Sequence, residues 1–239
     1  MASVVNALRN IISDKMWLIK LAIFTAPVFY ILEDEKLFNS LLDKNIPITV
    51  GLYFLYMGIA SVMIHRNITN KSPILPGIFD IPLVIFRAIG SGLMALPGSA
   101  LLYFILIYMS ENFHFEEEFV SFLVHIGVVS VLVPFIIIPV VLYSANGKFS
   151  DGLRISKVIE GSGNFIVEFL SFVIQYIFVI FIFAFLIGQV FKQVFGPQSL
   201  ASLILTAFVI VLTFLLLFSF ASDTYEDVIP AVKSKRNVS

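Results

Sequence analysis

The sequence predicts an all-α fold, an integral membrane bundle of about six transmembrane helices with two cytoplasmic interfacial amphipathic helices. Three observations predict it. Of 239 residues, 59% are hydrophobic and 13% charged, where a soluble domain carries about 25% charged residues. The apolar residues gather into runs of roughly 20, the length a helix needs to cross the hydrocarbon core. Lys and Arg are also segregated between alternate loops. Strands of alternating polarity, the mark of a transmembrane barrel, are not evident in the sequence. Helices satisfy their own backbone amides, which lipid cannot do for them.

The chain reads as one membrane domain over 1–239. Residues 1–15 form the first interfacial helix. Within Ser3–Asp14, the side chains Val4, Val5, Leu8, Ile11 and Ile12 share one helical face, opposite Asn6, Arg9, Asn10 and Ser13. Residues 16–143 hold spans Met16–Leu32, Ile48–His65, Ala88–Met109 and Phe119–Ser144. The first span is expected to be retained, since no small-x-small cleavage site follows Trp17–Leu32. Residues 144–163 form a loop with the second interfacial helix, Ser150–Glu160. There Ile155, Val158 and Ile159 oppose Arg154, Lys157 and Glu160, and Ser150 or Asp151 is placed as cap. Residues 164–221 hold spans Phe165–Val190 and Leu200–Ala221, and 222–239 form a tail.

Between spans two and three, the linker Asn67–Phe86 contains Pro73, Pro76 and Pro82, which prevent a continuous helix. It is expected to form a semi-buried elbow, followed from about Leu83 by a helix entering the bilayer. Leu96–Gly98 repeats the Leu-Pro-Gly of the elbow inside span three and is expected to kink it.

Orientation follows from charge. With the N-terminus in the cytoplasm, that side receives twelve of the 15 Lys and Arg residues, leaving only Lys36, Lys44 and Lys192 outside. The outer loops carry acids, including the run from Glu111 to Glu118. Six spans preserve this segregation and place both termini in the cytoplasm.

Candidate functional residues are few. The ionisable Glu168 lies about one turn inside span five, Gln175 two turns deeper on nearly the same face, and His125 in span four. Together they are the candidate intramembrane polar path, because charged groups in spans are expensive and often functional. The blander reading of Glu168 is a carboxylate solvated at the helix end. Arg87, Arg154 and Lys157 are candidate contacts for anionic lipid headgroups. His114 and Glu118 have helical i,i+4 spacing but lack a second His and any Cys, so a solvated charge run is preferred to a metal site. In span three, Ala88/Gly92 and Ser91/Ala95 are small-xxx-small pairs that let helices approach closely, within one chain or between subunits. The Asn-x-Ser/Thr triplets at Asn67, Asn70 and Asn237 fall on the cytoplasmic side and read as chance. With no Cys, no phosphate loop and no nucleophile–base pattern, no catalytic residue, cofactor or metal is assigned. The basic residues are dispersed, so no nucleic-acid partner is expected.

An apolar span, a short polar turn, Leu75-Pro76, Asp80 four residues on and a Gly-rich apolar helix follow one another in the first half. Later come Gly147-Lys148-Phe149, Leu153-Arg154 and a last span ending near Asp223-Thr224-Tyr225. From about Asp14 to Tyr225 this arrangement resembles the prokaryotic membrane proteins grouped as domain of unknown function 4013. Where that family favours Trp soon after Leu-Pro, this chain has Gly77-Ile78-Phe79. The resemblance implies a polytopic helical protein of a prokaryotic plasma membrane and supplies no catalytic residues.

The expected function is a non-enzymatic scaffold or accessory subunit of a membrane complex, in contact with the bilayer and with membrane-protein partners or further copies of itself. The alternative is a small-solute or lipid transporter, supported by the Pro- and Gly-rich region from Pro73 to Gly98. The orientation is open to direct test, because the chain is free of Cys. In intact cells, His114→Cys should react with a membrane-impermeant maleimide and Arg154→Cys should not; the opposite pattern overturns the orientation.

Overall fold

A computed structural model of the chain describes residues 3–33, 46–112, 118–196 and 199–225. Every regular element among them is helical. These are α1 (Val4–Ile12), α2 (Trp17–Glu33), α3 (Ile46–Ile68), α4 (Ile81–Asn112), α5 (Glu118–Asn146), the single turn α6 (Phe149–Gly152), α7 (Ile155–Tyr176), α8 (Ile182–Phe195) and α9 (Leu200–Asp223). A 3-10 turn, Ile78–Asp80, leads into α4, and a π turn, Ile177–Phe181, joins α7 to α8 without interrupting the helix. His114, most of the acidic outer loop and the tail after Tyr225 lie outside the described residues.

Five helical runs are long and apolar enough to cross a membrane: Pro47–Ile68, Ile78–Met109, Val124–Asn146, Ile155–Val179 and Leu200–Asp223. The bent pair α1–α2 makes a sixth if counted as one span. The protein is therefore a polytopic, all-helical membrane protein, as its composition predicts. The two members of the bent pair meet at 103°. The amphipathic segment thus lies crosswise to α2 rather than extending it. Ser3 starts α1 by accepting the Asn6 N–H on its hydroxyl at 3.1 Å. Val4, Ala7 and Ile11 are fully buried, and α1 packs against α9.

In lipid the hydrophobic effect supplies no force between helices, so close packing must hold them together. The α3–α4–α5 trio achieves this through glycine. A Cβ placed on Gly58 of α3 would lie 2.5 Å from the Val84 carbonyl oxygen and 2.9 Å from Ala88 Cβ, on α4. On the α5 side, a Cβ on Gly98 would lie 2.7 Å from the Phe135 oxygen. Pro139 has no N–H with which to bond the carbonyl four residues earlier, which is Phe135. The helix frees that oxygen, and only a residue without a side chain fits beside it at position 98. The small residues of α4 do mark helix contacts, as the sequence predicts. The opposite face of α4 exposes Ile85, Phe86, Ile89, Leu93 and Phe104, a surface suited to lipid.

Three elements differ from the sequence reading. Span three begins earlier than Ala88, with the 3-10 turn at Ile78; α4 carries Pro97 without a break in the helix, as a kinked helix also would. Inside a spanning helix the alternative to helix is unsatisfied backbone in hydrocarbon, so one lost bond is tolerated. The elbow is correspondingly short. The second amphipathic segment is not a single helix. Phe149–Gly152 forms a turn, and Ile155–Glu160 supplies the first turns of α7, which continues unbroken into span five. Neither Ser150 nor Asp151 caps α7; Arg154 stands at that position, with no side-chain capping bond.

Because Gly58 touches backbone rather than a movable side chain, Gly58→Ala should destabilise the bundle by about 1–3 kcal/mol. Gly51, on the same helix, has nothing within 4 Å of an added Cβ. Gly51→Ala should be neutral or slightly stabilising, since Ala is the better helix former. Thermal unfolding in detergent micelles compares the two; equal stability would refute the α3–α4 contact.

Candidate functional site

The described polar side chains concentrate where α1, the start of α2, the ends of α3, α5 and α9, and the start of α4 meet. This is the basic end of the bundle. Its organisation follows from the backbone groups that helices leave unpaired at their ends, which must find partners near lipid.

α3 ends first. Asn70 adopts φ +52°, the left-handed conformation that Asn tolerates best after Gly. The Asn70 N–H donates to the Asn67 oxygen at 3.1 Å and the Lys71 N–H to the Arg66 oxygen at 2.8 Å, the paired bonds of a Schellman end. This cap turns the chain into the elbow. Arg66 then reaches across it, donating to the Pro73 oxygen at 3.1 Å, the Leu75 oxygen at 3.2 Å and the Asp80 carboxylate at 2.7 Å. Lys20 of α2 donates to the same Leu75 oxygen at 2.9 Å and to Asp14 at 2.6 Å. The second carboxylate oxygen of Asp80 accepts the Gly77 N–H at 2.6 Å. A proline-rich loop, unable to satisfy itself, is held by two cations and one acid. Leu75, at its centre, is fully buried.

α5 ends at Asn146, with Gly147 at φ +68° closing it by an N–H bond to the Tyr143 oxygen at 2.7 Å. The Ser144 oxygen, one of the unpaired carbonyls, takes His65 Nδ1 of α3 and the Arg87 guanidinium of α4, each at 3.1 Å. A cation at a helix C-terminus also meets the negative end of the helix dipole. Ser144 and Ser61 join hydroxyls at 2.8 Å beside it.

α9 ends at Asp223, a carboxylate at the negative end of a helix and so in need of donors. Asn67 of α3 provides one bond at 2.7 Å, and Asn10 of α1 makes longer ones at 3.4 and 3.5 Å. Asn67 also bonds the Ser222 hydroxyl at 2.5 Å. Among the described residues, neutral amides rather than a cation hold this acid.

The sequence candidates fall in different places. Gln175 accepts the Val4 N–H on its side-chain oxygen at 2.9 Å and donates to Ser171 at 3.0 Å. It therefore fastens the start of α1 to α7. His125 bonds the Ser121 carbonyl of its own helix at 2.7 Å. Glu168 is half-buried, without a described hydrogen bond or ion pair. No described hydrogen bond links these three residues. The Arg87 guanidinium donates to the Ser61 and Ser144 carbonyls at 3.4 and 3.1 Å. Arg154 is exposed and 3.8 Å from Asp151, and Lys157 is half-buried on the first turn of α7. His65, Asn67, Asn70, Lys20 and Asp14 carry more of the site than any residue singled out as functional in the sequence. Their signal was available, since each sits at the edge of a span, where helix-end groups require partners.

The described bonds of this arrangement go largely to backbone carbonyls and to Asp14, Asp80 and Asp223. Among the described residues, no group of three or more His, Asp or Glu side chains is placed to hold a metal. Arg66→Gln, which loses the carboxylate pair and weakens both carbonyl bonds, should lower stability by about 2–3 kcal/mol. It should also open residues 69–77 to protease in detergent. Arg66→Lys should restore only part of the protection, because an ammonium cannot fork between three acceptors. A protease pattern unchanged by both variants would show that the clamp does not hold the elbow.

Compared with family models, with curated proteins and with solved structures, the chain matches none.

Proposed function

We propose that the chain is a non-enzymatic scaffold or accessory subunit of a membrane complex, with both termini in the cytoplasm. The observation that carries this reading is the use made of its polar side chains. At the basic end, Lys20, Arg66, His65 and Arg87 are engaged with carbonyls and with structural acids, in a geometry that stiffens the bundle. A protein whose charges fix its own shape, while broad apolar faces stay open, is built to be packed against. The gathering of Arg9, Lys15, Lys20, Arg66, Lys71 and Arg87 near these helix ends supports the cytoplasmic orientation under the positive-inside rule. Kinship with the domain of unknown function 4013 proteins is part of the proposal, resting on Leu75, Pro76 and Asp80, now seen as parts of one clamped elbow. The transporter alternative drew on a broken helix between Pro73 and Gly98. The helix of that region is continuous from Ile81 onward, which removes that support.

Purified in a mild detergent, the protein should emerge at fixed stoichiometry within a larger membrane assembly. Emergence alone, together with solute flux through reconstituted vesicles that Glu168→Gln abolishes, would overturn the scaffold reading in favour of transport.

A further inference from the structure

Helix α1 has two apolar sides, and only one is used by the fold. Val4, Ala7 and Ile11 are fully buried against the bundle, whereas Val5 and Ile12 are 57% and 44% exposed. Val5, Leu8, Arg9, Ile12 and Ser13, at i, i+3, i+4, i+7 and i+8, form one open face of the helix. That face is held in place from behind: Gln175 bonds the first turn of α1 and Asn10 reaches Asp223. Since α1 lies at 103° to α2, the face runs crosswise to that helix.

Its chemistry is mixed in one specific way. Arg9 is exposed and, among the described residues, makes no hydrogen bond or ion pair. Lys15, just beyond the helix, is likewise exposed and unpaired. The neighbouring acids are already engaged, Asp14 by Lys20 at 2.6 Å and Asp223 by Asn67 and Asn10. The Ser13 hydroxyl donates to the Asn10 oxygen at 2.7 Å. An exposed apolar strip therefore lies beside an uncompensated guanidinium, in a protein whose surrounding phase is lipid. Arg suits a phosphate particularly well, since its planar fork donates two parallel bonds.

From this we infer that the outward face of α1 binds one anionic phospholipid, its acyl chain along Val5, Leu8 and Ile12 and its headgroup phosphate on Arg9. The site is separate from Arg87, Arg154 and Lys157. It depends on the protein being in a membrane and not on the scaffold reading, so either can fail without the other.

Native mass spectrometry of the full chain tests it, after equilibration with equal amounts of phosphatidylglycerol and phosphatidylcholine in detergent. Wild-type protein should retain the anionic lipid about fivefold over the zwitterionic one, the preference expected from one surface cation. Arg9→Gln should bring the ratio close to unity and Arg9→Lys should restore most of it. Arg154→Gln should leave it unchanged. Arg9 makes no described polar bond to the bundle, so melting of Arg9→Gln by circular dichroism should match wild type and separate lost binding from lost folding. Equal retention of both lipids by wild type would overturn the inference. So would an unchanged ratio in Arg9→Gln, or equal losses in Arg9→Gln and Arg154→Gln, which would indicate a diffuse attraction to the whole basic end.

Discussion

The elbow between α3 and α4 is where the chain comes nearest to failing in a membrane, and the Arg66 guanidinium is what prevents it. Prolines leave this segment without regular hydrogen bonding, and Leu75 and Pro76 are buried against the bundle while Ile78 and Phe79 stay exposed. Exposed carbonyls there would cost several kcal/mol each in hydrocarbon. Arg66 and Lys20 meet them, and Asp80 balances the charge. The register of α4 against α3 follows, because Asp80 sits immediately before α4 and Arg66 on the last turns of α3. That register brings Gly58 onto the Val84 carbonyl, and the rest of the trio is built on the contact.

One pattern recurs among the described contacts between helices. Three helix ends are met by side chains from other helices: the end of α5 by His65 and Arg87, the end of α9 by Asn67 and Asn10, the start of α1 by Gln175. Ends that cap one another cannot move independently. The polar layer is thus a fastening between helices, which is why a chain with so few charges places them so close together.

The membrane character was legible from composition and hydropathy, since both follow from local chemistry that survives in any arrangement of the helices. Small residues in α4 were legible for the same reason: Gly92 and Gly98 have little to offer except close approach. What escaped was relational. Glu168 drew attention because a charge in a span is costly, yet no bond to it is described, whereas Asn67 and Asn70 looked like chance triplets and prove to end a helix and hold an acid. Periodicity marked Ser150–Glu160 as an amphipathic surface helix but had no means of locating its ends. An amphipathic turn and the first turn of a span share the same backbone, and only tertiary contact, here the bond of Ser162 to Pro134 of α5, distinguishes them.

The helical run from Ile155 to Phe195 is about twice the length that a perpendicular crossing requires. A helix of that kind ordinarily adjusts its lean to the thickness of the bilayer around it. Here Ser162 is bonded to Pro134, Gln175 to Val4 and Tyr176 to Thr213, three fixed points along the first half. The lean of α7 is therefore dictated by protein contacts. In a thinner or thicker membrane the adjustment passes to the segment beyond the π turn, so that one end of this helix keeps its angle while the other follows the lipid.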